Sequence, residues 1–193
     1  VDESGNPVTV PTGKNIIVAL DYSDNGANPA ENDDYTKVTT VTIVGGTNND
    51  IKYWKEKIKN ENVYFYGFVN QQEIKKYVNS VDICLLPNQK IILTHGDESK
   101  MNISEYTSPL KMFEYMAAKK AIISSDLNVL REVLNEDNSI LVNYDNIKEW
   151  ENAIEKLQNL TFREKISQQA YKDFMSKYSW NIRAKNIIDV INK

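Results

Sequence analysis

From residue 37 onward the chain alternates between short apolar runs and stretches with helical spacing, and that alternation leaves few folds open. KVTTVTIVGG (37–46), VYFY (63–66), VDICLLP (81–87), AIIS (121–124) and the run opening SILVNYDN (139–146) have the length and character of strands, the apolar ones buried. Between them, residues 48–60 place Ile51, Trp54 and Ile58 on one helical face, residues 71–79 form a second helix, and residues 126–134 a short one. Residues 147–157 repeat the pattern through Ile147, Trp150, Ile154 and Leu157, and terminal helices follow at 161–177 and 180–192. Strands separated by helices need crossover connections, which build a parallel sheet covered on both faces. The expected fold class is α/β: an open, mainly parallel sheet with helices on both faces. In such sheets ligands bind beyond the carboxyl ends of the strands, a rule that brings Gly45, Val69, Pro87 and the helix start at Ser108 to one rim.

The stretch 104–134 carries the most chemistry. Ser108 reads as an N-cap and Pro109 as the first helical residue, where its missing N–H costs nothing. Leu110, Phe113 and Ala117 fall at i, i+3 and i+7, with Met112 and Met116 widening the stripe, so this side is expected to pack on a core. The other side carries Lys111 and Glu114. A lysine in the first turn opposes the positive end of the helix dipole unless an anion offsets it, and that end also offers unpaired amides. Together these describe an anion site of the phosphate kind. Glu114, one turn further in, is placed to accept hydrogen bonds from two neighbouring sugar hydroxyls, and a phosphate site with such a carboxylate fits a nucleotide. Gly45-Gly46 permits close backbone approach to a ligand, and a plain tight turn explains the pair equally well.

SPLKMFEYMAAKKAIISSD (108–126) resembles the signature of the retaining, family-four-type glycosyltransferases with the glycosyltransferase-B fold: Glu, seven residues, Glu, a small-residue helix end and an apolar strand. The strand ending in Gly, the YGFV turn (66–69), the strand ending in Pro87 and the closing segment KYSWNIRAKNIIDVI (177–191) resemble the same family. The resemblance covers residues 38–193 and implies one Rossmann-like half of the two-domain fold. It implies that Glu114 binds the nucleotide ribose and that the helix start, at Tyr106, Thr107, Ser108, Pro109 and Leu110, holds the diphosphate. It also implies that Val69 and Asn70 contact the base, with Gly45, Gly46 and Pro87 lining the same rim. Glu114 and Lys111 are the catalytic candidates. The family's first Glu falls on Tyr106, beside Glu105, its usual Gly after the helix is Lys119, and its usual Pro before the strand is Ala121. Lys119 costs about 1 kcal/mol if it must adopt a left-handed conformation.

The function implied is a donor-binding domain for a UDP- or GDP-sugar in a retaining glycosyltransferase of glycan or cell-surface polysaccharide synthesis. The acceptor-binding amino-terminal domain, or a separate chain supplying it, is missing from the stretch, so the chain alone is expected to be inactive. No cofactor beyond the donor and no metal are expected, because amides and a lysine neutralise the leaving diphosphate. The alternative is a non-catalytic nucleotide- or partner-binding subunit working beside an acceptor-binding chain. A flavodoxin-like signalling domain is a further competitor, with Asp21 after NIIVAL as its phosphorylation candidate.

Residues 1–37 read differently. Their one strand candidate, NIIVALDY (15–22), is followed by SDNGANPAENDD (23–34), too rich in Asn, Asp, Gly and Pro for a helix. The segment is expected to be a remodelled edge or a foreign addition to a domain at 38–193. It also holds the acidity: seven acids and two bases in residues 1–40 give −5, against the net charge of −4, so the remainder is +1. No basic stripe for nucleic acid follows from that balance. The clustered carboxylates Asp21, Asp24, Glu31, Asp33 and Asp34 read as a solvated loop, not a Ca²⁺ site. His95, the only histidine, and Lys90 and Lys100 lie in a long connection, residues 88–106. One cysteine, Cys84, no membrane-length apolar run and no leader point to the cytoplasm, with attachment to the inner membrane face only through the missing half.

Overall fold

The computed structural model describes residues 17–21, 40–91, 102, 104–106 and 108–191. Six strands, β1 (Ile17–Asp21), β2 (Thr40–Val44), β3 (Val63–Gly67), β4 (Ile83–Leu86), β5 (Ala121–Ser125) and β6 (Ile140–Val142), form one sheet in the order β3-β2-β1-β4-β5-β6. β2 is parallel to β3, and β4, β5 and β6 are parallel to one another. The mainly parallel α/β sheet expected from the alternation is therefore present. β1 departs from it: it runs antiparallel to both neighbours, with Ile17 opposite Val44 and Val18 opposite Leu85. Composition accounts for the reversal, since a parallel neighbour needs a crossover helix and the sequence after β1 disfavours one.

Successive residues of β4 and β5 bury on opposite faces, as a period of two requires. Cys84, Leu86 and Ile122 meet Met112, Tyr115 and Met116 of α3 (Leu110–Ala117), Leu130 of α4 (Asn128–Arg131) and Ala170 of α6 (Leu160–Asp173). Ile83, Ala121 and Ile123 meet Ala153 of α5 (Ile147–Lys156), Leu157 and Ile166. Cys84 is fully buried, and burial pushes its thiol far above the usual range.

Several local expectations are corrected. Helix α1 (Asn48–Lys57) stops before the expected residue 60, because Ile58 is already extended, and Ile51, Trp54 and Ile58 are half-buried. α2 (Gln71–Asn79) has the expected bounds. Pro109, not Ser108, is the N-cap of α3; the residue before a proline is biased away from helix, which leaves Ser108 outside. The inward face of α3 is Met112, Tyr115 and Met116, whereas Leu110 is 69% exposed and Ala117 is also exposed. Helix α3 packs against β5 and α6, so the arc facing them is buried and its first turn projects past it.

Helix α6 ends at Asp173, short of residue 177, and continues as a π-turn, Phe174–Tyr178. The last helix, α7 (Trp180–Ile191), carries Ile182, Ile187, Ile188 and Ile191, yet none of its residues is buried. Within the long connection Ser104–Tyr106 forms a 3₁₀ turn. His95 and Lys100 fall outside the described residues, as do Asp24, Glu31, Asp33 and Asp34.

Lys119 adopts the left-handed conformation, φ 56°, that closes α3. Its Nζ lies 4.5 Å from the centre of the Tyr171 ring, a cation–π contact that partly offsets the strain. Replacing it by Ala removes the contact and keeps the strain; replacing it by Gly removes both. Lys119→Gly is therefore expected to be more stable than Lys119→Ala by about 1 kcal/mol in urea unfolding. Equal midpoints for the two variants would show that the backbone carries no strain there.

Candidate functional site

Strand direction sets the geometry of the site. Because β1 opposes both β2 and β4, the carboxyl ends of β2 to β6 share one rim. Gly45 and Gly46 follow β2, Val69 and Asn70 come shortly after β3, Pro87 follows β4 and Asp126 follows β5. A helix joining parallel strands runs back against them, so α1, α2 and α3 all begin at this rim.

The three helix starts differ in how their amides are satisfied. At α1, Thr47 N–H donates to Asp50 Oδ2 at 2.7 Å and Asp50 N–H to Thr47 Oγ1 at 3.4 Å, a closed capping box. At α2, Asn70 Oδ1 accepts from Gln72 N–H at 3.4 Å, and Glu73 adds negative charge to the first turn. At α3 the N-cap is Pro109, which has no side-chain acceptor, and the first turn contains no acid. It contains Lys111 instead, a positive charge at the positive end of the dipole. An anion placed there complements the amides and the lysine together.

Lys111 is half-buried, and burial lowers its ammonium from the usual value to about 8, with Glu114 pulling it partly back. Glu114, three residues on along the same helix flank, is exposed. These two expected site residues are brought together. The others are placed less simply. Gly45 and Gly46 have φ of 117° and 84°, Gly45 N–H donates to Gly67 O at 2.6 Å, and a Cβ on Gly46 would lie 3.4 Å from Asp50 Cβ. The turn into α1 by itself accounts for both glycines. Val69 packs half-buried against the core. Asn70 caps α2 with its Oδ1, and its carbonyl accepts from Glu73 and Ile74 N–H at 2.8 and 3.2 Å. Pro87 and Ser108 are exposed, Pro109 is half-buried, and Tyr106 is 83% exposed in the 3₁₀ turn. Thr107 lies outside the described residues.

Two rim features escaped the sequence reading. Phe68 is 87% exposed directly after β3; an aromatic residue between a strand-ending glycine and a half-buried valine is the signal that marks it. Arg131 clamps Asp126 through Nε and through Nη2 at 2.8 Å, and Glu136 through Nη1 at 2.9 Å. Those bonds hold the Asp126 carboxyl below its usual range. The Ser125 hydroxyl beside it is buried with no hydrogen-bond partner among the described residues. Among the described residues there is no group of three or more His, Cys, Asp or Glu side chains able to hold a metal, and no helix long and apolar enough to cross a membrane.

Comparison with known proteins bears on this arrangement. Residues 28–159 match the family model described as glycosyl transferases group 1. An uncharacterized glycosyltransferase of Methanocaldococcus jannaschii is 31% identical over 132 residues, which cover 66% of this chain and 30% of that protein. The chain thus spans under a third of the length of the curated relative it matches. HepE of Anabaena, solved in complex with UDP, superposes with a TM-score of 0.64 at 15% identity, covering 80% of this chain and 41% of HepE. The C-terminal domain of a group 1 glycosyl transferase, LpcC, of Francisella tularensis superposes with a TM-score of 0.52 at 23% identity, covering 69% of this chain and 66% of that one.

The environment of Lys111 predicts a pH signature that is independent of any ligand. Below pH 8 the lysine is charged in both folded and unfolded chains, and the folded state bears the full cost of its burial. Between about 8 and 10.5 the folded chain releases the proton while the unfolded chain retains it, so stability rises with pH across that window. Lys111→Met is accordingly expected to be more stable than the parent at pH 7, with the difference closing as pH rises through the window. A constant difference between their urea midpoints would contradict the burial of this ammonium.

Proposed function

The chain belongs to the group 1 glycosyltransferases, as a glycosyltransferase-B-type domain, and from that premise we propose that it is the donor-binding half of a retaining enzyme that uses a UDP- or GDP-sugar. The observation that carries the proposal is the start of α3: an N-cap without an acceptor, Lys111 in the first turn and exposed Glu114 one turn on, at the rim where all the parallel strands end. The amides and Lys111 take the diphosphate. Glu114 accepts hydrogen bonds from the two ribose hydroxyls, and the turn after β3 takes the base. As the sugar leaves, negative charge grows on the diphosphate, and fixed amides with a nearby ammonium stabilise it without reorganising. A divalent cation is not required by this scheme. The complex of HepE with UDP supports a nucleotide of this kind.

The acceptor belongs to a part of the protein outside this chain, in keeping with the fraction of its relatives that it spans. One observation favours the non-catalytic alternative. The position that resembles the family's first Glu holds Tyr106, so a carboxylate for the transferred sugar is lacking at that position. Sugar release from a UDP-sugar by the chain combined with an acceptor-binding half separates the two readings.

Calorimetric titration tests the site itself. UDP or GDP is expected to bind, and Glu114→Ala to weaken binding roughly tenfold to hundredfold, the value of one or two charge-assisted hydrogen bonds. Lys111→Ala is expected to weaken UDP but not uridine, whereas Glu114→Ala weakens both. Unchanged affinity in both variants would remove α3 from the binding site.

A further inference from the structure

Tyr106 is 83% exposed, and among the described large apolar and aromatic side chains only Phe68 is more so. No other ring of the described residues lies against it. A singly exposed tyrosine needs no explanation in itself. What singles this one out is its place and the way its backbone is held. Ser104, two residues earlier, is buried, and its N–H donates to Asn102 Oδ1 at 3.1 Å. Asn102 Nδ2 in turn donates to Lys90 O at 3.4 Å, which ties the far end of the long connection to its near end. The 3₁₀ turn Ser104–Tyr106 packs against α4, the helix that follows the carboxyl end of β5. The ring therefore stands in solvent on a backbone anchored at the rim, three residues ahead of the uncapped start of α3.

Strand order gives a bound donor its direction. The turn after β3 takes the base and the start of α3, which follows β4, takes the diphosphate; β5 lies beyond β4 on the side away from β3. A sugar carried on the outer phosphate then lies away from the base, toward β5 and the 3₁₀ turn. This placement rests on the donor-site reading given above. We propose that the Tyr106 ring is the platform for the transferred sugar, stacking on a C–H face of a pyranose.

The chemistry differs from that of a carboxylate at the same position. A carboxylate reads a sugar through a pair of hydroxyls. An aromatic ring offers its negative face and its apolar area to C–H bonds, which the neighbouring oxygens leave slightly positive. Recognition then depends on one unbroken C–H face and little on any single hydroxyl. The donor class is a pyranose that keeps its hydroxyls off that face, with the loss of one hydroxyl tolerated. The phenolic hydroxyl takes no part in the stack, so phenylalanine can replace the tyrosine.

Calorimetry and proton NMR on the chain test this with two donors and their parent nucleotides, UDP-glucose against UDP and GDP-mannose against GDP. In at least one pair the sugar is expected to raise affinity about threefold to tenfold, the range of an aromatic contact. Tyr106→Ala is expected to abolish that gain and Tyr106→Phe to keep it. The sugar C–H protons are expected to shift upfield on binding to the parent and to Tyr106→Phe, as protons over a ring face do, and not on binding to Tyr106→Ala. A gain that survives Tyr106→Ala, or one that is lost in Tyr106→Phe, would overturn the inference. So would nucleotide binding with no gain from either sugar. Failure of both nucleotides to bind would overturn the donor-site reading itself, and the inference with it.

Discussion

A helix that joins two parallel strands has to begin where the first strand ends, and the site depends on that constraint. It brings strand ends and helix starts to one rim, so that partial positive charge gathers there. β1 could have broken the arrangement. Had it opposed only one of its neighbours, the two halves of the sheet would have pointed in opposite directions. Opposing both, it leaves β2 and β4 parallel, with their ends in line. Two of the helix starts at the rim are then neutralised from within, by Thr47 and Asp50 and by Asn70. The third, at Pro109, has no side-chain cap and no acid in its first turn.

The rotation of α3 decides which of its side chains face the core and which the rim. Met112, Tyr115 and Met116 are the buried arc, and they pin the helix against the sheet. Lys111 and Glu114 are left on the flank. The pinning carries a cost, because the Tyr115 hydroxyl is buried with no hydrogen-bond partner among the described residues, a defect of about 1–3 kcal/mol in general. Its ring fills space that a smaller residue would leave void.

What the sequence disclosed follows from which properties are local. The bounds of α2 were legible because Asn70 announces its own cap, and the strained backbone at Lys119 because the resembled family usually has Gly there. Strand direction was not legible for β1: an apolar run has the same composition read either way. The inward face of α3 was misjudged because apolar character put Leu110 and Ala117 on it, whereas the position of β5 and α6 selects Tyr115 despite its hydroxyl. In α7 the apolar spacing of Ile187, Ile188 and Ile191 is genuine, and it describes a surface that the described residues leave uncovered. Lys111 and Glu114 were visible as a pair; the half-burial that depresses the lysine depends on its neighbours in space and was not.

Cys84 is the chain's only thiol, and it lies at the centre of the sheet, fully buried and held in its protonated, unreactive form. Alkylating reagents therefore find nothing to modify while the sheet is closed. A cysteine introduced at the rim would be labelled alone, so a single dye can be positioned beside α3 without first removing the native residue. The same silence makes Cys84 a clock for the opening of β4, because any label it takes up records an excursion that exposed the strand.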